Sequence, residues 1–216
     1  MADHANGVKA IIMAQFVFYF APSALLPSLY LYVRSANWGI DPSVMYSTTL
    51  TVASAVCMVT PVPFGAWADL RGEREVYIAV TLAAAGSGVI LAMTPPAPLF
   101  ASAWAALSMA PSLRGVRSAY LARNVAPEEL SRCSQLASSA GLAGAIAGPT
   151  MAACTPRGRE GFEVCAMFAA ISHAVAALAL SSSLPAPVLR RSTSRYADYA
   201  DAPVHCERSR TLRSHT

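Results

Sequence analysis

The charges of this chain come in bunches, and between the bunches lie six long apolar stretches that are nearly free of charge. They cover residues 8–33, 46–67, 76–93, 99 to about 114, 134–154 and 162–184. A stretch of roughly 17–25 apolar residues is long enough to cross a bilayer as a helix. Lipid offers the backbone no hydrogen-bond partners, so a single segment crossing it must be helical. The fold expected is therefore an all-α membrane protein with six transmembrane helices over residues 1–184. Composition agrees. Of the 216 residues 55% are hydrophobic and only 13% charged, against roughly 25% charged in a soluble domain. That balance excludes a water-soluble enzyme, and it excludes disorder over most of the chain.

Lys and Arg fix the expected orientation, because they concentrate on the cytoplasmic side of a membrane protein. With the N-terminus inside, thirteen of the sixteen basic residues fall on inner segments, and only Arg34, Arg157 and Arg159 fall outside. Both termini are then cytoplasmic. The basic residues are scattered between spans rather than gathered into one patch, so the net charge of +4 does not indicate nucleic-acid binding. Residues 185–216 are polar and basic with no periodic apolar face, and they read as a disordered cytoplasmic tail. That tail could touch anionic lipid headgroups, or it could be merely solvated. The first apolar run is too long for the core of a cleavable signal.

The five cysteines show no paired spacing and no nearby histidine pair, so neither a metal site nor a cofactor is indicated. Cys154 and Cys165 flank a polar loop that a disulfide could close. Within the spans there is almost nothing to titrate. His173 is the one ionisable side chain near mid-membrane: it is either a substrate contact or proton carrier, or a packed histidine bonded to a neighbouring helix. In the first span Gln15, Tyr19 and Tyr30 are candidate cavity-lining groups, with Pro22 and Pro27 expected to break the helix between them; aromatic packing is the other reading.

Between the second and third spans stands Gly65-Ala-Trp-Ala-Asp69-Leu-Arg71-Gly72-Glu-Arg74. Gly65 is suited to close helix approach, Asp69 to pairing with an arginine or capping a helix, and Gly72 to a tight reversal. The pattern Gly-x-x-x-Asp-x-x-Gly-x-Arg at this place resembles the signature of the major facilitator superfamily of transporters. The fifth span carries Gly141-x-x-Gly144-x-x-x-Gly148-Pro149, which is similar to a Gly-x-x-x-Gly-Pro motif of antiporter branches of that superfamily. Gly144 and Gly148 share one helix face and allow tight packing, while Pro149 bends the helix. Ala119-Tyr-Leu-Ala-Arg123, followed by Pro127-Glu128, resembles a third family segment.

The chain departs from the family at several points. Glu73 and Glu75 flank Arg74 where basic residues are usual, and Arg123 stands where an acidic residue is usual. The arginine that many members carry in mid-span four is missing, and Arg114 or Arg117 could substitute from the inner end. Arg117-Ser-x-Tyr120 is similar to vacuolar and lysosomal members, so the plasma membrane and a vacuolar-type membrane both stay open.

The resemblance implies transport of a small solute by alternating access, with Gly65, Asp69, Gly72 and Arg74 forming a latch for the outward-facing state. It also implies two six-span halves, each of two inverted three-span repeats, with the substrate site between them. This chain matches the N-terminal half, so a homodimer or a second six-span partner is expected. The alternative is a truncated or transport-inactive six-span protein that binds or regulates a full-length transporter. An intramembrane serine protease would need Gly-x-Ser-Gly, which does not occur; no enzymatic activity is expected.

Overall fold

The computed structural model describes residues 2–184, and over them the chain is helical from end to end. Eight α-helices follow one another: α1 (Ala2–Ala36), α2 (Pro42–Val59), α3 (Pro61–Arg71), α4 (Glu73–Ala92), α5 (Ala97–Ser108), α6 (Arg114–Asn124), α7 (Pro127–Ala153) and α8 (Arg159–Ser183). A 3-10 turn, Ala110–Leu113, joins α5 to α6. The tail expected over 185–216 lies outside the described residues.

Among the described residues, four helices are long and apolar enough to cross a membrane: Asn6–Ala36, Pro42–Val59, Glu73–Ala92 and Arg159–Ser183. The other two expected spans fall short for different reasons. The fourth is divided by the 3-10 turn around Pro111, which lacks the N–H an α-helix needs there. The fifth, α7, is 27 residues long, but it opens on Glu128, Glu129 and Arg132 and is rich in Ser and Gly. The second expected span is α2 running into α3. Its helical bonding crosses the junction, with the Thr60 amide donating to the Val56 carbonyl at 2.9 Å and the Phe64 amide to the Thr60 carbonyl at 3.1 Å.

The first span differs from expectation. Pro22 and Pro27 lie inside α1, and the helix is not broken between them. Each proline withdraws one donor, from the carbonyls four residues earlier, but both faces of α1 are pinned by neighbours. Phe18, Leu25, Leu29 and Tyr32 are fully buried, and that packing holds the helix through the gaps.

α1 is the central column: it packs against α7 on one side and α8 on the other. α8 packs in turn on α4, α4 on α5, and α5 on α2. One end of the bundle is an aromatic plug in which Tyr32 stacks on Phe162 at 4.2 Å and Phe100 packs on Trp38 at 5.0 Å. The other end gathers the charges of the α3–α4 turn and of α6. Large apolar side chains line the outside, among them Met58 at 82% exposure, Leu70 at 81% and Leu178 at 70%. A surface of this kind suits lipid or another apolar bundle rather than water.

Candidate functional site: a charged turn and an arginine cleft

The α3–α4 turn is one residue long. Gly72 closes it at φ 94°, a left-handed conformation that strains any residue with a Cβ, while its amide donates to the Ala68 carbonyl at 2.9 Å. This reversal places Asp69 and Glu73 side by side, and Arg123 of α6 bonds to both: to Asp69 at 3.3 Å, and to Glu73 as its closest partner. Two departures from the family pattern thus offset each other. Glu73 is acidic where a base is usual, Arg123 is basic where an acid is usual, and they meet. In the sequence the only signal for this pair is the opposite sign of the two departures.

Arg74 points elsewhere. It donates to the Ser181 carbonyl at 2.7 Å, which places a cation on the open C-terminal turn of α8, the favourable end of that helix dipole. Glu75 accepts from the Trp67 indole at 3.2 Å and pairs with Arg71 at 3.5 Å. Gly65 meets no neighbour within the chain: among the described residues no atom lies within 4 Å of a Cβ placed there.

Close approach occurs in α7 instead. A Cβ on Gly148 would stand 2.7 Å from backbone atoms of Phe20 and Ala24, and one on Gly144 would fall on the Phe16 carbonyl. Gly141 lies flat against the Tyr19 ring, where a Cβ would come within 3.0 Å. Pro149 sits inside α7, one residue beyond this contact. The backbones of α1 and α7 can therefore touch along the stripe Gly141, Gly144 and Gly148.

The tight α1–α7 seam leaves a cleft of about 230 Å³ beside α6, lined by Tyr19, Arg114, Arg117, Ser138 and Gly141 among others. Arg114 donates to the Tyr19 hydroxyl at 2.8 Å, and Arg117 to the side-chain amide oxygen of Gln15 at 3.1 Å. Arg117 is only 6% exposed and Gln15 1%. Gln15, Tyr19, Arg114 and Arg117 are thus brought together, and Tyr30 is not: it meets Tyr46 edge-on at 5.8 Å on the α1–α2 flank.

His173 is fully buried and lies apart from the cleft, its ring 6.0 Å from that of Phe18. Its Nδ1 is 2.8 Å from the Ala169 carbonyl, so the bond expected to a neighbouring helix is made within α8, and Nε2 has no partner. Cys154 and Cys165 are free thiols, so no disulfide closes their loop. Among the described residues no cluster of His, Cys, Asp and Glu is placed to hold a metal ion.

A family model described as Major Facilitator Superfamily matches residues 11–209. No curated protein and no solved structure matches the chain. The match runs across the charged turn, the arginine cleft and the α1–α7 seam alike, and on that ground the chain belongs to the major facilitator superfamily, a family of membrane transporters.

Proposed function

We propose that this chain forms one six-span bundle of an alternating-access transporter for a small solute, completed by a second six-span bundle. The family match carries the proposal. The packing order supports it. Count the spans as α1, α2 with α3, α4, α5 with α6, α7 and α8. Exchanging the first with the fourth, the second with the fifth and the third with the sixth turns the α1–α7 contact into α5–α2 and α1–α8 into α5–α4. The α4–α8 contact maps onto itself. This is the pattern expected of two three-span repeats related by a two-fold axis in the membrane plane.

In this reading both termini face the cytoplasm, and the charged turn is the latch. Arg123 ties Asp69 and Glu73, hence the α3–α4 turn, to α6 at the inner face. The exposed apolar surface of α2, α7 and α8 is shared between lipid and the second bundle.

The test is the mass of the assembly in native nanodiscs. Two copies of the 22.6 kDa chain, or one copy with a six-span partner, support the complete transporter. A lone chain overturns it and favours the transport-inactive reading, in which the bundle binds a full-length transporter.

A further inference from the structure

We infer that the cleft between α1, α6 and α7 is a binding site for a small oxyanion, a carboxylate or phosphate group held by Arg114 and Arg117. The inference rests on the transporter reading only for its consequence, the class of solute carried; the site itself rests on geometry.

The cleft is rich in donors and poor in acceptors. Arg117 is buried, yet its one partner among the described residues is the neutral amide oxygen of Gln15. Its Nε has no acceptor, and neither has the Nε2 of Gln15. Arg114 donates to the Tyr19 oxygen, which leaves the Tyr19 proton free to donate outward. The ion pairs of the described residues involve Arg71, Arg123 and Arg159, and none includes Arg114 or Arg117. Among the described residues no Asp or Glu lines the cleft.

A buried guanidinium with no counter-charge is costly, and the cost falls when an anion enters. The planar fork of arginine matches the two oxygens of a carboxylate or phosphate, and a second arginine one helical turn away can take a third oxygen. A cation would meet two like charges with nothing to offset them. A volume of about 230 Å³ lies below the roughly 300–1,000 Å³ of clefts for drug-sized ligands, which suits a small anion or one headgroup. Gly141 keeps the floor open: a Cβ there would stand 3.0 Å from the Tyr19 ring, which would have to shift.

The experiment uses the full chain in nanodiscs at constant ionic strength, with succinate and inorganic phosphate as anionic probes and choline and glucose as controls. A saturable rise in melting temperature is expected with at least one anion and with neither control. Arg114→Gln, at the exposed rim, is expected to weaken that binding at least tenfold. Arg117→Lys keeps the buried charge, so the chain still folds, and it is expected to weaken binding by losing the fork.

Retention of phosphatidylglycerol over phosphatidylcholine in the native mass spectrum, lost in Arg114→Gln, would assign the same chemistry to a lipid headgroup. The site is overturned if the controls stabilise as well as the anions, or if the anion effect is unchanged in both variants. It is equally overturned if neither soluble anion nor anionic lipid is held. Uptake separates the two readings. Anion binding without uptake in any assembly would sink the transporter reading alone. Uptake of choline or glucose that ignores Arg114→Gln would sink the anion site alone.

Discussion

Gly148 is the most exacting test of how the bundle is held together. A methyl group there would stand 2.7 Å from the Ala24 amide and the Phe20 carbonyl, and ordinary contact begins at 3.4 Å, so α1 and α7 would have to part by about 0.7 Å. The obstructing atoms are backbone and cannot swing aside. Overpacking of this kind costs about 1–3 kcal/mol, and the better helix propensity of alanine returns up to about 1 kcal/mol. The net expected for Gly148→Ala is a loss of about 1–2 kcal/mol, or about 3–6 °C in melting temperature for a chain of this size. Gly86→Ala supplies the contrast. Nothing lies within 4 Å of its Cβ position, so propensity acts alone and the melting temperature is expected to rise by about 2–4 °C. Both are read by heating the purified protein and following the surviving monodisperse peak. If Gly148→Ala melts at or above the parent while Gly86→Ala behaves as expected, the α1–α7 backbones do not touch as described.

Four further outcomes are expected. Arg123→Glu puts a third carboxylate beside Asp69 and Glu73 and should lower stability by about 1 kcal/mol; adding Glu73→Arg should recover part of it, and no recovery would mean the pair is incidental. Asp69→Asn should reduce transport while membrane insertion persists, and undiminished uptake would remove Asp69 from the latch. His173→Ala should cost about 2–4 kcal/mol by opening a cavity against Phe18, with an unaltered pH profile of uptake; a flattened profile would make His173 a proton carrier. Cys154, exposed in the loop before α8, should react with a membrane-impermeant thiol reagent applied outside, whereas Cys133 should not; labelling of Cys133 instead would invert the topology.

Membrane class and helical content follow from the sequence by one physical rule. A charge-free apolar stretch has no stable place but lipid, and lipid leaves the backbone no partner but its own helix. The positions of α1, α4 and α8 are legible on that rule. The turn at Gly72 is legible because only a reversal explains a glycine between two charged helix ends. The charge bias states an orientation, and the α3–α4 signature states a family, which the match over residues 11–209 bears out.

What tertiary structure decided is which neighbour each residue meets. Gly65 and Gly148 look equally suited to close approach in sequence, yet one faces open space and the other faces α1, because periodicity defines a helix face but not what packs on it. Pro22 and Pro27 look like breaks, yet α7 and α8 hold α1 through them. Glu73 and Arg123 look like two departures from a pattern, and only the fold of α6 against the α3–α4 turn makes them one ion pair. Arg114 and Arg117 look like inner-end charges; it takes the touching backbones of α1 and α7 to leave the cleft they line. Composition and spacing set what the chain can be, because solvation acts on each segment alone. Contacts between residues a hundred positions apart depend on how all the helices pack at once.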